Sequence, residues 1–152
     1  MSDNENMMKK KRRLMLIGRS EAGKTTLTQA LMERPIEYEK TQAISMDSML
    51  IDTPGEYIQT KHLGTALAIY SYEADVIGLL LSATEPFSLF SPNITCMTTK
   101  EVVGIVTKID HKNAHAENAE KWLRLAGCKK VFKVNSLASE GIEEIREYMG
   151  WK

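Results

Sequence analysis

A short apolar run that leads directly into a glycine-rich loop restricts the possible folds of this chain more than any other segment. Residues 14–17 read Leu-Met-Leu-Ile, and residues 18–25 read Gly-Arg-Ser-Glu-Ala-Gly-Lys-Thr, the pattern G-x-x-x-x-G-K-[ST]. In such a loop, backbone N–H groups turn inward around a polyphosphate because glycine accepts the conformations that this requires. Lys24 reaches the β and γ phosphates, and the Thr25 hydroxyl ligates Mg²⁺. The pattern therefore predicts a strand–loop–helix unit that binds a nucleoside triphosphate with magnesium.

Apolar runs and amphipathic stretches alternate along the rest of the chain. Continuous apolar runs predict strands at residues 14–17, 76–83, 102–106 and 131–134. Helical periodicity predicts helices at residues 25–33, 63–70, 114–126 and 142–149. Residues 41–52 are predicted to form a hairpin, whereas residues 85–100 give no clear assignment. This alternation predicts an α/β fold, a three-layer P-loop NTPase whose sheet is mostly parallel with one antiparallel edge strand.

The charges of the chain are unevenly distributed. The 152 residues have a formal net charge of zero, but residues 1–13 carry five cations and two carboxylates, a net +3. We predict a flexible basic tail at residues 1–12 and a single domain at residues 13–152. The tail could dock an acidic partner or simply be solvated before the first strand. Five cations without aromatic or motif support are too few to argue for nucleic-acid binding.

The composition favours a cytoplasmic protein. No apolar run approaches the roughly 20 residues needed to span a bilayer, and the first residues are polar, unlike a secretory signal. Cys96 and Cys128 have neither metal-ligand nor disulfide-framework spacing, which fits reduced thiols. The three histidines share no metal-like spacing with cysteines or carboxylates.

A second short motif follows the phosphate loop. Residues 52–55 read Asp-Thr-Pro-Gly at the end of a predicted strand. Asp52 could hold the Mg²⁺ shell, usually through water, and the Gly55 N–H could approach a γ-phosphate. A plain turn is the alternative, because Asp, Pro and Gly all favour turns. The position after a phosphate loop favours the functional interpretation.

Four motifs in order give a specific resemblance. Gly-x4-Gly-Lys-Thr, Asp-Thr-Pro-Gly, Thr-Lys-Ile-Asp at 107–110 and Asn-Ser-Leu-Ala at 135–138 resemble the motifs of small Ras-like GTPases of the translation-factor class. The chain is still more similar to the EutP/PduV family of ethanolamine and propanediol utilisation proteins, nearest to EutP-like members of Gram-positive bacteria. The similarity covers residues 12–150 and includes Gly-Lys-Thr-Thr-Leu-Thr-Gln and Ile-Asp-Thr-Pro-Gly-Glu-Tyr. It implies a small G-domain-like fold with GTP or GDP as ligand, Mg²⁺ as cofactor and a role beside a bacterial microcompartment.

The third and fourth motifs bear on the choice of base. The Asp110 carboxylate can accept hydrogen bonds from guanine N1–H and the 2-amino group, whereas adenine would leave it unpaired. The Lys108 stem can lie over the base plane. The GTPase pattern has Asn at the position of Thr107, and threonine is too short both to bond guanine N7 and to tie the base loop to the phosphate loop. The backbone N–H of Ser136 takes the place that bonds guanine O6 in that pattern.

Three further side chains are candidates for the chemical step. Thr41 resembles the switch threonine that joins the Mg²⁺ shell, although a threonine at a strand start is the alternative. Glu56 stands where many GTPases carry a glutamine that orients water. Its carboxylate could position water but would also repel the γ-phosphate, which predicts slow intrinsic hydrolysis. Arg19 could contact phosphate or point to solvent.

These arguments define three sets of candidate residues. The catalytic set is Lys24, Glu56 and Thr41, and the metal set is Thr25, Asp52 and Thr41. The nucleotide-binding set is Gly18, Arg19, Ser20, Glu21, Ala22, Gly23, Lys24, Thr25, Thr26, Gly55, Thr107, Lys108, Asp110, Ser136 and Leu137.

Three functions remain open at this level. The first is a magnesium-dependent protein that binds and slowly hydrolyses GTP. The second is an ATP-dependent kinase of a small carboxylate, because the EutP branch has been associated with acetate kinase activity. The third is a non-enzymatic adaptor whose nucleotide state or basic tail directs it to the microcompartment shell.

Overall fold

The strands and helices follow one another in the alternating order that the sequence predicts. A computed structural model describes residues 12–18, 22–32, 50–52, 67–68, 71–88 and 90–151. The strands are β1 (Leu14–Ile17), β2 (Leu50–Asp52), β3 (Val76–Ser82), β4 (Glu101–Thr107) and β5 (Val131–Lys133). The α-helices are α1 (Lys24–Met32), α2 (Ala116–Ala126) and α3 (Ile142–Tyr148). Short 3-10 helices span Ser71–Glu73, Ile94–Met97 and Ser136–Ala138.

The five described strands form one parallel sheet in the order β2-β1-β3-β4-β5. The longest ladder joins β3 to β4, from the Val76–Glu101 pair to the Ser82–Thr107 pair. β1 lies between β2 and β3, with Leu16 opposite Asp52 on one side and Gly78 on the other. All five strands therefore present their carboxyl ends at one edge of the sheet. Of the hairpin predicted for residues 41–52, residues 41–49 lie outside the described residues, so the antiparallel edge strand stays a prediction.

Side chains of successive strand residues enter two separate cores, one on each face of the sheet. Leu14 and Leu16 face a core that also contains α1, α3 and Trp151. Met15 and Ile17 point to the opposite core, which contains α2 and Leu67. Because adjacent strand residues alternate between faces, a strand that is apolar throughout must be covered on both sides. The fold is therefore the three-layer α/β sandwich that the sequence predicts.

The C-terminal end of the domain is tied to the start of the first strand. Trp151 is fully buried, and its indole N–H donates to the Arg12 carbonyl at 2.7 Å. The Arg12 N–H donates to the Met149 carbonyl at 3.0 Å. Trp151 therefore packs the C-terminal end of the domain against the segment before β1. Residues 1–11 lie outside the described ranges, so the flexible tail stays a prediction.

Most predicted elements fall where the structure has them, within two residues at the ends. Of the predicted hairpin the described residues include β2, and of the predicted helix at residues 63–70 they include Leu67 and Ala68, which are helical. Residues 85–88 and 90–100 contain only the 3-10 helix at Ile94–Met97. Within the described ranges, no helix has the length and apolar character needed to cross a bilayer.

Candidate nucleotide-binding site

The candidate residues that the structure describes lie at the carboxyl edge of the sheet. β1, β4 and β5 end at Ile17, Thr107 and Lys133, and the motifs assigned to phosphate and base come at or directly after these ends. In parallel α/β sheets, ligands bind in the crevice beyond the carboxyl ends of the strands. The order of the elements alone therefore brings these distant segments together.

Two glycines shape the phosphate loop where it leaves β1 and enters α1. A Cβ added to Gly18 would lie 2.8 Å from the Leu80 Cβ, so the loop passes too close to β3 for any other residue. Gly23 has φ +90°, a left-handed conformation that side chains disfavour. Lys24 follows as the first residue of α1 and is 7% exposed. Both glycines of the motif are thus required by the backbone path as well as by the expected ligand.

Thr107 ties the base loop to the phosphate loop. Its hydroxyl donates to the Ala22 carbonyl at 2.5 Å, and the side chain is buried, at 2% exposure. The sequence indicated that threonine could not both make this link and reach guanine N7. The structure shows that the link is made. A hydroxyl engaged in this way points at the phosphate loop, so it does not replace the amide that the usual Asn offers to the base.

The chain turns sharply after Thr107, next to the phosphate loop. Lys108 has φ +58°, one of the few left-handed residues other than glycine. Its Cε lies 3.8 Å from the position that a Cβ on Gly23 would take, so the lysine stem extends towards the phosphate loop. The Ile109 N–H donates to the Val134 carbonyl at 3.5 Å, and Asp110 is exposed beside the cavity. Lys108 and Asp110 therefore line the same cavity, next to the phosphate loop.

The segment after β5 supplies the opposite wall. Asn135 and Glu140 exchange two backbone hydrogen bonds, and the Asn135 side chain accepts from the Ala138 N–H at 3.4 Å. These bonds hold the 3-10 helix at Ser136–Ala138. The Ser136 N–H lies in its first turn, where N–H groups have no partner within the helix. Ser136 also lines the cavity.

A cavity of about 100 Å³ lies between these segments. It is lined by Gly23, Thr26, Thr107, Lys108, Asp110, Asn135, Ser136 and Leu137. Seven of these eight residues belong to the predicted nucleotide-binding set, although they come from three segments separated by more than 80 and 20 residues. The Leu137 side chain is 86% exposed, so this wall is open to solvent.

The structure describes only some of the remaining candidate residues. Gly18 and Ala22 are buried in the loop, Thr25 is exposed on the first turn of α1, and Asp52 ends β2 beside β1. Outside the described residues lie Arg19, Ser20, Glu21, Thr41, Gly55 and Glu56. Within the described ranges, no group of three or more His, Cys, Asp or Glu side chains could hold a metal.

Asn135 is a site residue that the sequence argument did not include. It lines the cavity, is 9% exposed and fixes the turn that presents Ser136. An Asn directly before a short polar turn is a recognised signal, because its side chain bonds backbone N–H groups further along the chain. That signal could have assigned Asn135 as the residue that holds the base-binding turn.

The fold and the loop at its carboxyl edge define a P-loop domain with the architecture of a G domain. The crystal structure of the G domain of the T. maritima FeoB iron transporter matches it with a TM-score of 0.59, over 91% of this chain and 96% of that one. The sequence identity is 22%, so the likeness concerns the fold.

The chain belongs to the PduV-EutP family, described as "Ethanolamine utilisation - propanediol utilisation", whose profile matches residues 11–151. The propanediol utilization protein PduV of Citrobacter freundii is 42% identical over 142 residues, which cover 93% of this chain and 95% of PduV. The probable acetate kinase EutP of Escherichia coli (strain K12) is 28% identical over 141 residues, covering 91% and 89%. The family resemblance inferred from the motifs is confirmed.

Proposed function

We propose that this protein binds guanine nucleotides with Mg²⁺, hydrolyses GTP slowly and acts in ethanolamine or propanediol utilisation. One observation carries the proposal. The phosphate loop, the Thr-Lys-Ile-Asp loop and the Ser136 turn line one cavity at the carboxyl edge of a G-domain-type sheet. Family membership supports the metabolic setting.

The polar groups around the cavity favour guanine. Asp110 and Ser136 both line the cavity, and we propose that the Asp110 carboxylate and the Ser136 backbone N–H bind the base. Guanine presents N1–H and a 2-amino group to the carboxylate and O6 to the N–H. Adenine has an acceptor at N1 and an amino group in place of O6, so both contacts would be lost. Unpaired polar groups of this kind cost about 1–3 kcal/mol each.

The chain has suitable groups for phosphate and Mg²⁺. The glycine at position 18 leaves no space for a side chain, and the left-handed Gly23 directs the backbone into α1 beside Lys24. We propose the hydroxyls of Thr25 and Thr41 and the Asp52 carboxylate as metal ligands, because Mg²⁺ prefers oxygen donors. Bound Mg²⁺ would neutralise charge on the β and γ phosphates.

For hydrolysis, we propose that Lys24 stabilises the phosphate charge, Thr41 positions the metal shell and Glu56 orients water. The negative charge of Glu56 opposes the γ-phosphate, so turnover without a partner is expected to be slow. We propose a cytoplasmic protein whose basic tail contacts microcompartment shell proteins.

A second candidate function is phosphate transfer from ATP to a small carboxylate. It is favoured by the description of the EutP relative as a probable acetate kinase. The same phosphate loop and metal would serve that reaction. It requires adenine to enter the cavity despite Asp110, so base preference separates the two functions.

The test is calorimetric titration with GDP, ADP and xanthosine diphosphate in the presence of Mg²⁺, on the native protein and the Asp110→Asn variant. Asparagine would repel the guanine 2-amino group and donate to the xanthine C2 carbonyl. We expect GDP affinity to fall by about 100-fold or more and xanthosine diphosphate binding to appear.

Two controls make this result decisive. Lys24→Ala removes the phosphate contact and should abolish binding of every nucleotide. Unchanged GDP affinity in that variant would contradict the site. ADP binding equal to GDP binding in the native protein, with formation of acetyl phosphate from ATP and acetate, would favour the kinase.

A further inference from the structure

A second and larger cavity lies at the opposite edge of the sheet from the candidate nucleotide site. Its volume is about 400 Å³, within the range of roughly 300–1,000 Å³ that is usual for small-molecule sites. Glu101 and Val102, at the amino end of β4, form part of its wall, and Lys130 directly precedes β5. The other lining residues are Thr95, Lys100, Val103, Gly127, Lys129 and Tyr148.

The charge of this cavity is strongly positive. Lys100, Lys129 and Lys130 line it, and among the described residues none of the three has a carboxylate oxygen within 4 Å of its ammonium group. The one carboxylate of the lining, Glu101, is paired with Arg12 at 3.2 Å. Three lysines therefore line the cavity with no carboxylate partner among the described residues, in a chain whose formal net charge is zero.

An aromatic ring lies beneath one of these lysines and does not cancel its charge. The Lys130 ammonium lies over the Phe132 ring, 5.2 Å from its centroid, and the Arg12 guanidinium lies over Tyr148 at 4.7 Å. The two rings meet edge to face with centroids 5.4 Å apart. A ring face attracts a cation through its quadrupole but leaves the full positive charge available to an anion. Thr95 is a further polar residue of the lining.

The cavity is not an extension of the nucleotide site. β4 runs from Glu101 at this cavity to Thr107 at the base loop, so the two sites lie at opposite ends of one strand. At about 3.3 Å per residue, its seven residues separate them by about 20 Å. A nucleotide in the candidate site would leave this cavity accessible.

We propose that the cavity is a second ligand site for a small polyanion, a molecule that carries two or more carboxylate or phosphate groups. Lysine ammonium groups are point charges that bind either group without the planar geometry that arginine imposes. The apolar stems and valines of the lining would contact the carbon skeleton of such a molecule. The proposal stands independently of nucleotide binding.

The test is a titration of the ¹⁵N-labelled protein by amide chemical shifts, with citrate as the carboxylate probe and inorganic pyrophosphate as the phosphate probe. We expect saturable shifts at residues 95, 100–103 and 127–130. Their position separates this site from the phosphate loop, where pyrophosphate would shift residues 22–26. Lys129→Gln with Lys130→Gln should raise the dissociation constant at least about tenfold.

A variant of equal net charge is the control. Lys112 and Lys121 are exposed and do not line the cavity, so Lys112→Gln with Lys121→Gln should leave the dissociation constant unchanged. Lys100→Gln tests the same wall independently of residues 129 and 130. The absence of shifts at the cavity up to about 10 mM probe, or equal weakening by the control pair, would overturn the proposal. Saturation by one probe alone identifies the anionic group.

Discussion

Thr107 shows how one side chain can join two parts of a site. It is buried at the end of β4, and its hydroxyl bonds a carbonyl of the phosphate loop 85 residues earlier. The motif of small GTPases has Asn here, which is long enough to reach both the loop and the base. In this chain threonine makes the link to the loop, and its hydroxyl is engaged there.

We predict that Thr107→Val weakens both the fold and the site. Valine has a similar shape but no hydroxyl, so the Ala22 carbonyl loses its donor in a buried position. A buried polar group without a partner costs about 1–3 kcal/mol. Urea unfolding should show a loss of this size, and calorimetry should show weaker GDP binding because the phosphate loop is less well fixed.

Thr107→Ser is the matched control for this prediction. Serine keeps the hydroxyl and loses only a methyl group, which costs about 0.8 kcal/mol. GDP affinity should then remain close to that of the native protein. If valine and serine reduce GDP affinity equally, the hydrogen bond to Ala22 has no role in holding the site.

At the scale of elements, Gly104 determines how closely α2 approaches the sheet. A Cβ at this position of β4 would lie 2.9 Å from the Leu123 Cδ1 and 3.0 Å from the Leu123 Cβ. The second contact involves an atom next to the helix backbone, which cannot move without the helix. The missing side chain therefore allows Leu123 to pack directly on the strand, where it is fully buried.

We predict that Gly104→Ala destabilises the protein by about 1–3 kcal/mol through overpacking. Leu123→Ala alone should cost about 2–5 kcal/mol, because it leaves a cavity. In the double variant the new methyl group occupies part of that cavity, so the cost should be less than the sum by about 0.5–3 kcal/mol. Urea unfolding of the four proteins measures this coupling.

A second glycine on the neighbouring strand serves as the control. A Cβ on Gly78 would meet only the ends of flexible side chains, at 3.0 Å from Ile105 and 3.2 Å from Leu16. Gly78→Ala should therefore cost less than Gly104→Ala. Strict additivity of Gly104→Ala with Leu123→Ala would contradict the close packing of α2 on β4.

The same elements show why the sequence predicts some of the fold well. Buried strands are recognisable because both of their faces are apolar, as in β3 and the interior of β4. The prediction missed Glu101, an exposed residue that belongs to β4 through its pairing with Val76. The segment before β4 resisted assignment because long-range contacts fix it. The Asn93 N–H donates to the Leu125 carbonyl on α2, and no local pattern encodes that bond.

The candidate site also has features that the sequence predicts and features that it does not. Sequence motifs identify Gly23, Lys108 and Asp110 because the chemistry of phosphate and base requires particular residue types at fixed spacing. The bond from Thr107 to Ala22 depends on the three-dimensional approach of two loops. The sequence alone therefore indicates only that threonine is too short to bond both the phosphate loop and the base. The cationic cavity had no motif at all, since its lysines come together only through the fold.

At the scale of the whole molecule, the two cysteines report on different parts of the structure. Cys96 is exposed in the segment before β4, whereas Cys128 is 2% exposed in the core that contains α2. Burial raises the pKa of the Cys128 thiol to about 12. Because the thiolate is the reactive form, Cys128 should be inert in the folded protein at neutral pH. Its reaction requires the core to open.

We predict that Ellman's reagent labels one thiol rapidly in the native protein and both thiols in urea. In the Cys96→Ser variant, the remaining reaction should be slow. Its rate should rise with urea. The free energy of opening derived from that rate should fall with urea with the same slope as the free energy of global unfolding, because Cys128 lies among side chains from both α2 and the sheet. A labelling rate that does not depend on urea would mean that α2 opens locally, and that the core on its side of the sheet unfolds separately from the core that holds α1.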